Sequence, residues 1–358
     1  MRIFESKLLG LPLLPLSWLY GASVTARDAV YRAGLRRQKR VDAVVVSIGN
    51  ITVGGTGKTP FMAWLARQLT ERGAKVGIVS RGYGRKSRGL LVVSDGQRIL
   101  ADVRQSGDEP QLLAHLTSGV PVLVDEDRAR GCQEAVRRFC CQILLLDDAF
   151  QHRRVHRDVD IVLIHARRGF GNGYLLPAGP LREPLRALRR AGQIVLTRCS
   201  NLEEQARLVA AIHRHTAAPL SCADYTFTGL HSPSGTRAPT DWLRGRRVVA
   251  VAGIADPEGF FESLRGLGAE PVHTLRFVDH HWYTERDVAR IERLAGDAQA
   301  EAVVTTEKDL VRLGPLLGKD RDAWLALRVE LQPRHVSREH WEAVIRELLA
   351  KIPVHTPA

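Results

Sequence analysis

The chain has 358 residues with 52 Lys plus Arg against 39 Asp plus Glu, a formal net charge of +13. Hydrophobic residues make up 44% and charged residues 25%, ordinary globular usage that excludes a wholly disordered chain, and the length predicts two domains. The basic balance leaves nucleic acid, an anionic membrane surface or a phosphorylated substrate as acidic partners, while five cysteines without CxxC spacing give neither a disulfide framework nor a zinc site and point to a reducing compartment.

In chain order, Leu8 to Ala26 carries no charge. As a helix it would reach ~28 Å, close to the ~30 Å hydrocarbon core of a bilayer. Gly10, Pro12 and Pro15 interrupt it, and Arg27, Arg32, Arg36, Arg37, Lys39 and Arg40 follow, a cluster suited to anionic headgroups. A cleaved leader fits the Ala-Ser-Val-Thr-Ala pattern but not the cytosolic nucleotide chemistry of the motif downstream. A span, a helix lying in the interface and a buried core helix all stay open. Membrane association is favoured, with the basic side in the cytoplasm.

From Asp42 apolar runs alternate with helical stretches: 44–48, 75–80, 120–125, 142–147, 159–166 and 193–198. Continuous apolar runs of this length predict an α/β fold with a mostly parallel sheet covered by helices on both faces. Gly229 to Thr240, rich in Gly, Ser, Pro and Thr, marks a boundary. The runs at 247–254, 271–277, 302–309 and 326–333 then predict a second, smaller α/β unit closed by a helix from Arg338. The division expected is 1–40 for the membrane-associating segment and its basic flank, 41–230 for the nucleotide-binding domain, and 231–358 for the smaller domain.

The strongest chemical signal follows the first strand: Thr52-Val53-Gly54-Gly55-Thr56-Gly57-Lys58-Thr59. A strand, a glycine loop and a helix in that order form the context of a P-loop, whose backbone N–H groups close around phosphates at a helix N-terminus. Lys58 would neutralise the β- and γ-phosphates of ATP, and Thr59 would offer its hydroxyl to Mg²⁺. The general pattern has Gly where this chain has Thr52. An acidic residue at the end of a neighbouring strand completes such a site. Asp147 and Asp148 supply it, one of them reaching the metal directly or through water.

The loop alone does not choose between switch, motor and kinase. The discriminating strings are Arg81-Gly-Tyr83-Gly-Arg, Ser106-Gly-Asp108-Glu-Pro, Asp147-Asp-Ala-Phe-Gln-His152-Arg-Arg, Gly171-Asn172-Gly, Leu176-Pro-Ala-Gly-Pro-Leu-Arg182-Glu183-Pro, Asp279-His280-His281 and Thr305-Thr-Glu-Lys-Asp309. Together they closely resemble the tetraacyldisaccharide 4′-kinase (lipid A 4′-kinase) family of Gram-negative bacteria, in family order from residue 47 to about 310, and the Thr52 departure is similar to that family's own pattern.

The resemblance implies ATP-dependent phosphorylation of the 4′-hydroxyl of a tetraacylated glucosamine disaccharide 1-phosphate at the cytoplasmic side of the inner membrane, by two α/β domains with the active site between them. It implies Asp108 as acceptor of the hydroxyl proton, oriented by His280. It also makes Arg81, Tyr83, His152, Asn172, Arg182 and Glu183 substrate-site candidates. On spacing alone Asp108 and Glu109 could cap a helix, His280 could be a surface loop residue, and 305–309 reads as a strand-to-helix cap without chemistry. A monomer is the working expectation. The alternative is a membrane-recruited nucleotide switch without a lipid acceptor. Nucleic-acid binding ranks last, because the arginines are scattered and aromatics make up only 6%.

Overall fold

A computed structural model describes residues 7–318, 321–334 and 337–353; residues 1–6 and 354–358 of the expected terminal units lie outside the described residues. The strands are β1 (Val44–Asn50), β2 (Val76–Ser80), β3 (Leu91–Asp95), β4 (Pro121–Val124), β5 (Ile143–Asp147), β6 (Val159–His165), β7 (Gln193–Thr197), β8 (Leu220–His231), β9 (Arg237–Ala238), β10 (Arg247–Ala252), β11 (Glu270–Arg276), β12 (Ala302–Thr306) and β13 (Trp324–Pro333). The longer helices are α1 (Leu14–Arg32), α2 (Lys58–Glu71), α3 (Asp108–Leu116), α4 (Arg128–Phe139), α5 (Ala206–His213), α6 (Pro257–Gly266), α7 (Glu285–Asp297), α8 (Glu307–Leu313) and α9 (Arg338–Ala350).

The thirteen strands of the described residues join one sheet, in the order β11-β10-β12-β13-β8-β7-β6-β1-β5-β2-β4-β3 with β9 beside β8. The apolar runs read from sequence are its interior. Every residue of β1, β2, β4 and β5 but none of the outer strands' full lengths is buried, as two covered faces require. Alternate residues serve opposite faces. Val44, Val46 and Ile48 pack with Phe61, Met62 and Leu65 of α2 and Trp341 of α9, while Val45, Leu144 and Leu146 pack with Ala129 and Cys132 of α4.

The sheet runs through the compositional boundary at 229–240. β8 pairs parallel with β7 on one side and antiparallel with β13 on the other, so β8 and β13 join the P-loop half to the half that ends in α9. Sequence reading did not anticipate β3, β8 or β9. β8 alternates buried and half-exposed residues and carries Asp, Thr and Gly, so it lacks the continuous apolar run that marks its neighbours.

One further correction concerns the cysteines. Cys199 and Cys222 form a disulfide with a Cα–Cα distance of 5.2 Å, bridging the end of β7 to β8, whereas Cys132, Cys140 and Cys141 are free. Parallel pairing of Leu196 with Cys222 brings the two residues together, a proximity that spacing in sequence does not reveal.

The amino-terminal segment forms α1, which lies on the 172–183 loop. Ser17 and Val24 are buried there, while Leu16, Trp18 and Leu19 are exposed. Among the described residues no helix is long and apolar enough to cross a membrane.

Candidate functional site: a phosphate loop facing a carboxylate–imidazole–ammonium cluster

β1 delivers the chain to residues 51–57, and α2 starts at Lys58. Gly57 has φ +80°, and a Cβ there would meet Tyr225 Oη at 3.1 Å and a Leu331 methyl at 3.2 Å, so this turn admits only glycine without displacement. Thr52 makes an antiparallel bridge to Leu181. Beside it the Val53 N–H donates to Pro180 O (2.9 Å) and the Arg182 N–H to Ile51 O (2.8 Å). The Leu-Pro-Ala-Gly-Pro-Leu-Arg string thus forms a ladder along the phosphate loop, and at a ladder position a β-branched residue fits where the general motif has Gly. Thr52 to Thr59 together line a cavity of about 760 Å³.

The acidic pair sits at the same end of the sheet. Asp147 Oδ2 accepts from Ser80 Oγ at 2.8 Å, but its Oδ1 is buried without a hydrogen-bond partner. Burial, then the neighbouring Glu109 and Asp148 charges, push its carboxyl well above the usual carboxylate range. Asp148 takes the opposite direction. Burial alone would raise it, yet Lys58 (Nζ to Oδ1 3.6 Å) and Arg182 (Nη1 to Oδ1 2.7 Å) outweigh burial and hold it well below that range. Arg182 also donates to Asn50 Oδ1 at 2.9 Å, which ties the acidic pair to the end of β1.

A second cluster joins α3 of the phosphate-loop half to residues from the other half of the sheet. Asp108 begins α3 after Gly107 and is 3% exposed. His280 Nδ1 lies 2.9 Å from Asp108 Oδ2 and 3.1 Å from Oδ1. Lys308, at the start of α8, stands 3.2 Å from His280 Nε2 and 3.2 Å from Glu109 Oε1. Arg312, one turn along α8, brings Nη1 to 3.5 Å from Asp108 Oδ2. Burial raises the Asp108 carboxyl, but the His280 hydrogen bond and the Lys308 and Arg312 charges overcome it and leave it below the ordinary value. α8 is itself anchored. Thr306 Oγ1 accepts the Asp309 N–H at 3.0 Å, and buried Asp309 accepts from the Gly253 N–H (3.1 Å) and the Tyr283 hydroxyl (2.9 Å). The strand-to-helix cap read from 305–309 is therefore present, and it carries Lys308 to the site.

Of the remaining candidates, Arg81, Tyr83, His152 and Arg182 line the cavity. Burial, then the Arg128 and Arg157 charges, push the His152 imidazole down to about 4. The structure does not bring Asp108, Asn172 or Glu183 to the cavity wall; Asp108 stands behind His280 and Lys308, which do line it. Asn172 holds its own loop, donating to Ala178 O (2.9 Å) and accepting the Tyr174 N–H (3.0 Å). Glu183 is 1% exposed and pairs with Arg190 and with Arg27 (2.7 Å), reaching the cavity only through the Arg27 guanidinium. Sequence reasoning missed Arg312, and it assigned no chemistry to Lys308 although the string containing it had been singled out. It also missed Asp256, which gathers Arg168 (2.7 Å) and Arg198 (3.1 Å) beside the phosphate loop. An apolar stretch with Phe227, Phe260, Leu327 and Val329 completes the lining. It comes from elements that meet only in the folded sheet.

Comparison with known proteins gives matches over nearly the whole chain. A family model described as tetraacyldisaccharide-1-P 4′-kinase matches residues 9–350. The chain is 44% identical over 306 residues to the tetraacyldisaccharide 4′-kinase of Geobacter metallireducens, covering 85% of this chain and 88% of that one. It is 40% identical over 344 residues to the enzyme of the same name from Syntrophus aciditrophicus, covering 93% and 91%. The crystal structure of LpxK from Aquifex aeolicus in complex with ATP superposes with a TM-score of 0.76 at 32% identity, covering 96% of this chain and 99% of that one. With a family match this long and relatives this similar, the chain belongs to the tetraacyldisaccharide-1-P 4′-kinase family.

Proposed function

We propose that the chain transfers the γ-phosphate of ATP to the 4′-hydroxyl of tetraacyldisaccharide 1-phosphate, with Asp108 as the acceptor of the hydroxyl proton. The observation that carries this reading is a single cavity lined both by the phosphate loop and by the His280–Lys308 side of the Asp108 cluster. Transfer to a sugar hydroxyl depends on positioning, charge neutralisation and a proton acceptor. The loop amides of residues 52–57 and the Lys58 ammonium hold the phosphates. Lys58 lies 3.6 Å from Asp148, an ion pair that the phosphates would compete for. Arg182 is a second cation at the same carboxylate. Asp108, kept ionised by its neighbours, takes the proton as the hydroxyl oxygen bonds to the γ-phosphorus and the bond to the β,γ-bridging oxygen breaks with ADP as the leaving group, and His280 fixes the direction of that carboxylate.

The donor set also fits Mg²⁺. Asp147 offers an unpartnered buried oxygen, whereas Asp148 is engaged by Lys58 and Arg182, so Asp147 with the Thr59 hydroxyl is the pair that would hold the ion, and Asp148 stands behind them. Among the described residues no group of three or more His, Cys, Asp or Glu side chains is arranged to hold a metal ion by itself, and Mg²⁺ needs no such cage when phosphate oxygens and water complete its shell. When bound, the ion neutralises charge on the β- and γ-phosphate oxygens.

Arg81, Tyr83 and His152 are assigned to the acceptor, with Asn172 and Glu183 shaping the loop that carries Arg182. Residues 41–230 and 231–358 serve as two working units, the first carrying the phosphate loop and the second His280 and Lys308. The exposed Leu16, Trp18 and Leu19 with the basic flank support peripheral docking of 1–40 on the cytoplasmic face of the inner membrane.

The test uses purified protein in detergent micelles with γ-labelled ATP, Mg²⁺ and the tetraacyldisaccharide 1-phosphate. Label is expected at the 4′ position, with turnover reduced about 10²–10⁴-fold in Lys58→Ala and Asp108→Ala. ATP binding or hydrolysis with no labelled lipid would instead favour the membrane-recruited switch.

A further inference from the structure

We infer that Lys308 is a positioning residue that selects one tautomer of His280: the proton on Nδ1, facing Asp108, and a bare Nε2, facing the ammonium. The argument is one of donors and acceptors. A charged ammonium has three N–H donors and no acceptor, so a contact of 3.2 Å with a ring nitrogen requires that nitrogen to accept. Nε2 then carries no proton. Nδ1 must carry it, and it donates to Asp108 Oδ2 at 2.9 Å.

Lys308 is well placed to remain an ammonium. Burial pushes its amine down, but Glu109, Asp108 and Asp279 outweigh burial and leave it raised. Each is close, at 3.2, 3.9 and 3.6 Å. The other groups against His280 do not offer Nε2 a better donor. Tyr83 meets the ring edge-on at a centroid distance of 5.4 Å, and Asp279 is an acceptor 3.9 Å from Nε2.

The consequence for turnover rests on the proposed role of Asp108. In the selected tautomer the imidazole donates to the carboxylate and holds it in one orientation. In the other tautomer two lone pairs face each other and the carboxylate swings free. Lys308 thus acts on the reacting carboxylate through His280 and need not touch either substrate.

The tautomer can be read without turnover. The full chain, labelled with ¹⁵N-histidine and held in micelles at about pH 8, is compared with His280→Gln to identify the His280 signals. The expected spectrum has one protonated nitrogen assigned as Nδ1 and one bare nitrogen assigned as Nε2. The reverse assignment, or two protonated nitrogens, would overturn the inference. Lys308→Met should average the two signals and lower kcat by about 10–100-fold, the range seen when a group that orients another is lost. KM for ATP and lipid should stay within about 2-fold, because uniform binding is untouched. Lys308→Arg, which keeps the donor, should retain both the signal pair and most of kcat. A kcat loss in Lys308→Met with the His280 pair unchanged would overturn the proposed route through the imidazole. Wild-type turnover in Asp108→Asn would sink the proton-acceptor reading alone, leaving the spectrum of the wild-type chain to decide the tautomer.

Discussion

Glu307 stands next to Lys308 in sequence and accepts the Val329 N–H at 3.1 Å. Burial pushes its carboxyl up to about 7, against the pull of that N–H and of Arg328. The folded chain therefore holds a proton that the unfolded chain, with the ordinary value of 4.5, has already released. With more protons bound in the folded state, stability falls as pH rises from about 4.5 to about 7 and is level above that. The loss is on the order of 3 kcal/mol at most. Glu307→Gln keeps an acceptor for Val329 and removes the slope. Its Tm advantage over wild type should be larger at about pH 8 than at about pH 4, and an equal gap at both would refute the assignment. Other single residues at the site also sit in unusual backbone. Asp148, Arg198 and His280 are left-handed without being glycine, with φ of +46°, +54° and +58°. Such residues cost about 1–3 kcal/mol each and persist where surrounding contacts fix them. Residue type was legible in sequence for Asp148 and His280. Their backbone conformation was not, since it is imposed by partners far along the chain.

At the scale of elements, the phosphate loop and the acidic strand end were readable because a strand, a glycine loop and a helix are contiguous in sequence. The parallel strands were readable for a similar reason: double-sided burial demands unbroken apolar runs. What sequence could not supply was contact between elements that lie over a hundred residues apart. α8 illustrates this, since its cap was legible while the Lys308 contact with Glu109, 199 residues away, depends on how α8 and α3 meet. The 172–183 loop is the other case. From sequence it supplied Asn172, Arg182 and Glu183 as substrate-site candidates, yet much of it is devoted to α1 and to the phosphate loop. Ser17 Oγ accepts the Ala178 N–H and donates to Leu175 O, both at 2.9 Å. Ser17→Ala leaves that buried N–H without a partner, so a stability loss of about 1–3 kcal/mol is expected in chemical denaturation. A change below about 0.5 kcal/mol would show that water replaces the hydroxyl there.

For the whole molecule, the basic balance and the exposed apolar face of α1 act together. Leu16 and Leu19 lie on neighbouring turns with Trp18 between them, and Arg32, Arg36, Arg37, Lys39 and Arg40 are exposed just beyond. Inserting a leucine into an apolar phase is worth about 1.5–3 kcal/mol, so the double variant Leu16→Asp, Leu19→Asp should weaken partition into anionic vesicles by roughly 10²-fold or more. Trp18 fluorescence should shift to the blue when wild-type protein meets such vesicles. Unchanged partition in the variant would move the docking surface elsewhere.

The attachment of α1 also governs geometry. Tyr20 Oη donates to Arg182 O at 2.8 Å, and the next link of that strand-like segment is the Arg182 N–H on Ile51 O at 2.8 Å. Two hydrogen bonds therefore separate the helix proposed to dock on the membrane from the loop assigned to the transferred phosphate. If α1 docks as proposed, it works as a depth gauge, setting the height of the cavity mouth above the acyl chains to within the play of those bonds. An acceptor whose sugar rides higher or lower than that mark would present its hydroxyl out of line with the phosphorus, however well its headgroup fits.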